Sequence, residues 1–329
     1  MLMQRIKVGV LRGGPSSEYE ISLKTGAEVI KHLPKDVYDT QDIFISREGI
    51  WHKNGMPIAP HDALYHIDVI FNALHGQYGE DGKIQHLLES YKIPFTGSGY
   101  LASILGMNKA LSKDVFEKNK IKTPQYRLIE NPKDISSKEN AGKLIELFRI
   151  FPLPIVVKPT SAGSSMGITL VKNFPSFEEA IKKAGEYSNS VMIEEYIPGV
   201  EATVGVIDGY RDEQTYALPA IEIRPKNNIF FDYEAKYNGM SDEIVPGNFT
   251  HDEKAKLEDI AKKVHNALGL RHYSRTDLII SLNRGIFVLE ANSLPGLTEG
   301  SLLPKALHAV GAPLSHFLDH VLRLALGGK

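Results

Sequence analysis

Apolar residues follow two rhythms along this chain. Short unbroken runs read as buried strands, and apolar positions three and four apart read as one face of a helix. The first run, 6–11, ends in the breaker cluster Arg12-Gly13-Gly14-Pro15; Ser16 or Ser17 is placed to cap a helix carrying Ile21, Leu23, Ala27 and Ile30. A second run, 68–74, stops at His75-Gly76 and precedes a helix over 84–91. This strand–loop–helix alternation predicts a small parallel α/β domain over roughly the first hundred residues. Ligand groups in such sheets lie beyond the carboxyl ends of strands. Glu20 and His75 follow two such ends and are candidate site residues, with turn capping as the alternative for each.

Thr96-Gly97-Ser98-Gly99 interrupts the pattern, and a helix is expected over 101–119. Strands follow at 154–158 and 168–171, then a helix over 177–187 and a strand over 191–197. The last third predicts strands at 202–206 and 217–223 and a helix striped by Leu257, Ile260, Ala261, Val264 and Leu268. Strands at 277–280 and 286–290 and a closing helix over 314–325 complete the pattern. The irregular stretch 224–248 is longer than a simple connection. It carries Phe230, Phe231, Lys236 and Tyr237, which points to a closing lid.

A length of 329 residues predicts two or three packed domains. Hydrophobic content of 42% and charged content of 24% are those of a globular chain. A net charge of −2 provides no bulk attraction to nucleic acid or anionic membrane, so any polyanionic ligand must be met by locally placed Lys and Arg. The chain has no Cys, which excludes disulfides, thiolate metal sites and a thiol nucleophile, and is compatible with the cytosol. The amino terminus reads as a strand rather than a signal peptide, and no apolar run approaches the ~20 residues of a membrane span. A soluble protein is expected.

Gly163-Ser164-Ser165-Met166-Gly167 formally matches the nucleophile elbow of α/β-hydrolases, but an elbow must enter a helix. Here β-branched and apolar residues follow, predicting a hairpin whose tip can fold over phosphates. The spacing also fails a Walker A loop. Lys158 ends an apolar strand, where an unpaired ammonium is costly. With Lys109 and the lid's Lys236 it could surround a triphosphate; solvated surface lysines are the alternative. Glu290 and Asn292 are two apart on a strand and point the same way, and Asp277 begins the neighbouring strand. Such oxygen ligands suit Mg²⁺ held jointly with substrate phosphates; the alternative is an ordinary pair of strand-end carboxylates. His316 and His320 share a helix face without a third ligand and read as solvated. Glu194-Glu195-Tyr196-Ile197 with Glu201 offers apolar contact, backbone edges and carboxylates, the parts of an adenosine site.

Further motifs run the length of the chain: Gly13-Gly14-Pro15-Ser16-Ser17-Glu18-Tyr19-Glu20-Ile21-Ser22, Ala73-Leu74-His75-Gly76, Gly79-Glu80-Asp81-Gly82 and Val157-Lys158-Pro159. Asp232-Tyr233-Glu234-Ala235-Lys236-Tyr237, Arg275-Thr276-Asp277 and Leu289-Glu290-Ala291-Asn292-Ser293-Leu294-Pro295-Gly296-Leu297-Thr298 continue them. In this order they resemble the D-alanine–D-alanine ligase family from end to end. The resemblance implies an α/β chain with α+β elements in the ATP-grasp fold. A Rossmann-like parallel α/β domain would span 1–104, a central ATP-grasp domain 105–195, and a C-terminal catalytic domain with the lid 224–248 would span 196–329.

It also implies roles. Lys109, Lys158 and Lys236 would contact ATP phosphates, with Ser164 and Ser165 on the covering loop. Glu194, Glu195, Tyr196, Ile197, Glu201 and Leu289 would form the adenine and ribose site, with Phe230 packing nearby. Asp277, Glu290 and Asn292 would bind two Mg²⁺ ions, for which Mn²⁺ can substitute. Glu20 would take the ammonium of the first D-alanine within a substrate site that includes His75. Arg275 and the Gly296 amide would stabilise the reacting carboxyl, and Ser301 would hold the second carboxylate. Glu20, Ser164 and Tyr237 would form a hydrogen-bonded chain tying loop and lid to the N-terminal domain. A cytoplasmic homodimer serving peptidoglycan precursor synthesis is implied, without nucleic-acid or membrane partners. Two departures stand out: Ala162 where many relatives have Glu, and Gly300 where relatives often carry something larger.

The chemistry fits these parts. Joining a carboxylate to an amine requires loss of a poor leaving group, which phosphorylation to an acyl phosphate supplies. Phosphoryl transfer is mainly positioning and charge stabilisation. Without Cys no thioester stage exists, so the amine attacks the acyl phosphate directly, and a lid keeps water away. An ATP-grasp ligase with a hydroxy-acid acceptor and a non-catalytic nucleotide-binding protein are the competing readings.

Overall fold

The computed structural model describes residues 5–132, 141–163, 166–225 and 241–327, which fold around three sheets. The first contains β1 (Ile6–Gly13), β2 (Tyr38–Ile45), β3 (Trp51–Lys53), β4 (Met56–Pro57) and β5 (Val69–Asn72), in the order β4-β3-β2-β1-β5. β1 runs parallel to β2 and β5, as expected, and β3 and β4 add an antiparallel edge. Helices α1 (Tyr19–His32), α2 (Pro60–Leu64) and α3 (Lys83–Ser90) accompany this sheet. Alternate residues serve opposite cores: Val8, Val10, Val69 and Phe71 join one cluster, and Leu11 and Ile70 the other. The cap of α1 is Glu18 rather than Ser16 or Ser17, and no side-chain hydrogen bond closes it. Its buried face is Ser22, Thr25, Gly26 and Val29, not the apolar set that periodicity suggests. Ser22 Oγ donates to the Ala73 carbonyl and accepts from the Gly13 amide, so this polar face is satisfied internally.

The helix expected over 101–119 is two helices, α4 (Tyr100–Met107) and α5 (Lys109–Lys118). Asn108 between them is extended, and its side-chain oxygen accepts from the amides of Ala110 and Leu111. The central sheet holds β6 (Tyr126–Glu130), β7 (Ile155–Pro159), β8 (Thr169–Val171) and β9 (Ser190–Glu195), in the antiparallel order β6-β9-β7-β8. Helices α6 (Ala141–Phe148) and α7 (Phe174–Gly185) accompany it. Since β7 and β8 form a hairpin, the loop between them is not a nucleophile elbow.

The third sheet comprises β10 (Val200–Asp208), β11 (Thr215–Ala217), β12 (Ile221–Pro225), β13 (Ser241–Ile244), β14 (Tyr273–Ser281) and β15 (Gly285–Asn292). Its order is β13-β12-β10-β14-β15, with β11 on β10. The strand expected over 217–223 is therefore split between β11 and β12, and the end of the irregular stretch contains β13. Residues 226–240 of the expected lid lie outside the described residues. Helix α8 (His251–Ala267) starts at a capping box between Thr250 and Glu253, and α9 (Leu302–Ala309) and α10 (Leu314–Ala325) end the chain. No helix among the described residues is long and apolar enough to cross a membrane.

The cores divide unequally. Val8 and Phe71 of the first sheet and Val29 of α1 share one cluster with Ile207 and Tyr273 of the third, closed over by Phe317, Leu318 and Val321 of α10. Polar bonds reinforce that union: Tyr38 Oη to Asp319 Oδ1 at 2.7 Å, Arg271 Nε to the Gly97 carbonyl at 2.8 Å, and the Gly97 amide to His272 Nδ1 at 3.1 Å. Phe116 of α5 packs with Leu257 and Val288 of the third sheet's second core. The central sheet has its own core around Ile155, Val157, Phe177, Ile181 and Ile193. Its links to the third sheet include Arg284, in the turn between β14 and β15, to the Glu195 carboxylate at 2.7 Å, and Thr123 Oγ1, in the segment before β6, to the Val288 carbonyl at 2.9 Å.

Candidate active site

Two clefts meet where the sheets converge. The first, about 900 Å³, lies between the central and third sheets. Its walls are apolar, with Val156 and Ile168 facing Ile197, Ile279 and Leu289. Lys158 and Glu194 of the central sheet and Arg275, Asp277 and Glu290 of the third add charged groups to its lining. Tyr196 and Glu201 line the same cleft. Glu195 lines it too, but its carboxylate is turned to Arg284 and to the amide of Gln125. It can thus serve a ligand through its backbone rather than its charge. Lys158, at the end of β7, meets Glu194 Oε1 at 3.0 Å, so the anion it was expected to need is supplied by the neighbouring strand. Lys113 stands on the same carboxylate at 2.8 Å. Two ammonium groups hold Glu194 below the usual carboxylate range against the opposing effect of burial, while burial pulls Lys113 down to about 8.

The second cleft, about 1430 Å³, shares Arg275 and Glu290 with the first and continues toward the first sheet. Asp277 faces Glu290 across β14 and β15, and Arg275 faces Asn292. With residues two apart on each strand, all four side chains fall on one face of the sheet. A register shift next to Asp277 separates this polar quartet from the apolar run beyond it. Arg275 grips Asp277 with Nε and Nη2, each at 2.8 Å. Thr203 Oγ1 and Asn292 Nδ2 donate to the same carboxylate at 2.6 and 3.1 Å. Lys109, the first residue of α5, reaches Glu290 at 3.2 Å and the Ala162 carbonyl at 2.7 Å. The break at Asn108 is what aims it there.

Asp277, Glu290 and Asn292 fit Mg²⁺ in donor type, offering two carboxylates and an amide on one face. Among the described residues no three His, Cys, Asp or Glu side chains form a complete metal cluster. The set therefore suits an ion whose remaining positions are filled by water and phosphate oxygens. His320 instead bonds the Asp208 carbonyl at 2.7 Å, and His316 is exposed.

The far end of the second cleft corrects the expectation for Glu20. Glu20 is exposed, pairs with Arg47 at 2.9 Å and does not line the cleft. Glu18 does, because a step of two residues at a helix start turns the side chain to the other side. Its Oε1 lies so close to Gly163 that a Cβ there would collide with it, bringing the first sheet to the tip loop. His75 lines the cleft with both ring nitrogens engaged, Nε2 with Thr25 Oγ1 at 2.8 Å and Nδ1 with the Leu294 carbonyl at 3.0 Å. It shapes the wall and has no ring nitrogen left for a substrate. Burial keeps it neutral by lowering its pKa. Glu80, which sequence reasoning did not single out, is buried beside it and raised to about 7, first by burial and then by Glu18. It accepts from the Gly76 and Leu294 amides and from Ser293 Oγ. Gly296 and Ser301 also line this cleft, and Ser301 Oγ bonds Thr298 Oγ1 at 2.8 Å. A Cβ at Gly300 would meet nothing within 4 Å, so the wall is open at that departure. Glu243 of β13 completes the lining, paired with Lys305 at 2.5 Å. Ser164, Ser165, Phe230, Lys236 and Tyr237 lie outside the described residues.

Comparison with known proteins places this geometry. A family profile described as the D-ala D-ala ligase N-terminus matches residues 7–63 and 52–98, and one described as the D-ala D-ala ligase C-terminus matches 115–323. The chain is 38% identical over 320 residues to a D-alanine–D-alanine ligase of Geotalea uraniireducens, spanning 97% of this chain and 95% of that one. It is also 38% identical over 331 residues to the ligase of the same name from Carboxydothermus hydrogenoformans, spanning 98% and 99%. Among solved structures, the D-alanine–D-alanine ligase of Bacillus anthracis is similar with a TM-score of 0.79 at 33% identity over 98% of each chain. VanG D-Ala:D-Ser ligase of Enterococcus faecalis is similar with a TM-score of 0.85 at 28% identity, over 98% of this chain and 100% of that one.

Proposed function

The chain belongs to the D-alanine–D-alanine ligase family, with its ATP-grasp fold, and from that premise we propose how its own residues divide the reaction. The activity is ATP-dependent joining of two D-alanine molecules. The observation that carries the assignment of roles is the meeting of the two clefts at Arg275 and Glu290. A nucleotide lying in the first cleft with its base toward Glu194 has its terminal phosphate at that junction. Amino acids in the second cleft then have a carboxylate within reach of it.

Lys158 and Lys109 offset phosphate charge from either side of the hairpin loop. Asp277, Glu290 and Asn292 would hold Mg²⁺, which when bound neutralises phosphate oxygens and supports transfer to a carboxylate. Arg275 and the Gly296 amide face the place where the first D-alanine carboxyl becomes an acyl phosphate and then a tetrahedral oxyanion, and they stabilise its charge. Glu18 takes the ammonium of that D-alanine in place of Glu20. Ser301, near the open wall at Gly300, holds the carboxylate of the second D-alanine. Attack by the second amine forms the C–N bond and releases phosphate.

Purified protein given ATP, Mg²⁺ and D-alanine is expected to yield D-alanyl-D-alanine, ADP and phosphate in equal amounts. Product analysis by mass spectrometry and phosphate release checks this. AMP with pyrophosphate, or no dipeptide, would contradict the acyl-phosphate route.

A further inference from the structure

Gly76, in the turn after β5, stands between two carboxylates. Its backbone is left-handed, and Glu18 Oε1 lies so close that an added Cβ would collide with it. The Gly76 amide donates to Glu80 Oε1 at 2.9 Å. Glu80 Oε2 takes two donors from the segment that follows β15, the Leu294 amide and Ser293 Oγ, each at 3.1 Å. Glu80 therefore ties the first sheet to the loop 293–296, which brings Gly296 to the second cleft. All three partners donate, as an ionised carboxylate requires. A protonated carboxyl has to donate in its turn, and of the three only the Ser293 hydroxyl can reverse its role. The Leu294 amide then faces an oxygen that carries a hydrogen, and the tie to the loop weakens.

The charges around this clamp leave it without a cation of its own. Lys109 of α5 is held by Glu290, and Arg275 of β14 by Asp277. Lys24 of α1 lines the same cleft, but among the described residues no ion pair joins it to Glu80. His75 is kept neutral by burial, and burial with the charge of Glu80 keeps Tyr273 of β14 a phenol. What remains is Glu18. Burial first and the Glu18 charge second raise Glu80 to about 7, so near neutrality the clamp is only partly ionised.

We propose that Glu80 is a positioning residue set by the first substrate: the ammonium of the first D-alanine neutralises Glu18, and Glu80, now fully a carboxylate, fixes the loop that carries the Gly296 amide. This rests on the reading of Glu18 as the partner of that ammonium. The proton that Glu80 gives up passes to solvent. The oxyanion donor is thus fixed only when the amino acid whose carboxyl it serves is bound. Because binding expels a proton, the first D-alanine binds more tightly as pH rises toward about 7, and the gain levels off above it.

The test follows kcat and separate KM values for the first and second D-alanine between about pH 6 and pH 8, at saturating ATP and Mg²⁺, in the full-length parent and Glu80→Gln. In the parent the KM for the first D-alanine should fall by about threefold or more across this range. Glu80→Gln should flatten that profile and lower kcat by about tenfold, in line with loss of a hydrogen bond to a charged group. A flat profile in the parent overturns the proposal, and so does a slope that survives Glu80→Gln beside a lowered kcat, which would leave Glu80 a purely structural tie. Should Glu80→Gln fail to fold, Ser293→Ala removes one of the bonds that favour the carboxylate. It should move the break in the parent profile to higher pH, and an unmoved break overturns the proposal. Glu18→Gln separates this from the reading beneath it. An unchanged KM for the first D-alanine in that variant would remove the ammonium from Glu18 and take the proposal with it, whereas a raised KM beside a flat parent profile overturns the proposal alone.

Discussion

Glu18 and Glu20 show how much depends on a single side chain's direction. Both belong to the same acidic motif, but only Glu18 lines the cleft, while Glu20 holds Arg47 in solvent. Glu18→Gln is therefore expected to raise the KM for D-alanine about tenfold or more, the usual effect of weakening a hydrogen bond to a charged group. Glu20→Gln should stay within about twofold, since exposed ion pairs contribute little. Steady-state kinetics at saturating ATP separate the two, and the reverse ranking would restore Glu20 to the site. Lys113 and Glu80 escaped the sequence for a related reason. A charged residue in a helix or loop reads as solvated, and only the tertiary arrangement shows Lys113 enclosed and Glu80 raised to about 7 by burial beside Glu18.

At the level of elements, the break at Asn108 turns one helix into two and gives Lys109 its aim. Asn108→Ala removes the side-chain acceptor for two amides and should cost about 1 kcal/mol of stability. It should also raise the KM for ATP, because the first turn of α5 is no longer fixed. Urea denaturation and steady-state kinetics measure the two effects, and an unchanged KM would mean that packing alone holds Lys109. The capped break was not legible because 101–119 keeps a helical rhythm across it. The strands β14 and β15 were legible because each holds a continuous apolar run flanked by polar ligands, Asp277 before one and Glu290 and Asn292 at the end of the other, and their period of two sets the three together. The edge of the first sheet was hidden for the opposite reason. β2 begins Tyr38-Asp39-Thr40-Gln41-Asp42, and β3 and β4 have only three and two residues, too few to show a rhythm. On α1 the buried face is polar, bonded inward through Ser22 and Thr25, so apolar periodicity marked the wrong side.

At the scale of the whole molecule the three sheets share their burial unequally, the first and third as one body and the central sheet as another. The first and third sheets share a core and a seam of side-chain and backbone bonds, whereas the central sheet encloses a core of its own. In folding terms, shared apolar burial makes elements melt together, and separate burial lets them melt apart. The central sheet is thus expected to be a cooperative unit in its own right, with its own transition in scanning calorimetry. A nucleotide gripped between Lys158 on one body and Glu290 on the other binds only when both are folded, and its binding energy adds to the link between them. Saturating a non-hydrolysable ATP analogue with Mg²⁺ should draw the two transitions into one. A single transition in its absence would show that the described links already suffice for cooperativity. The thin junction that leaves a cleft for the nucleotide therefore also makes the ligand part of the protein's cohesion, and a cell poor in ATP would hold this chain in its less cooperative state.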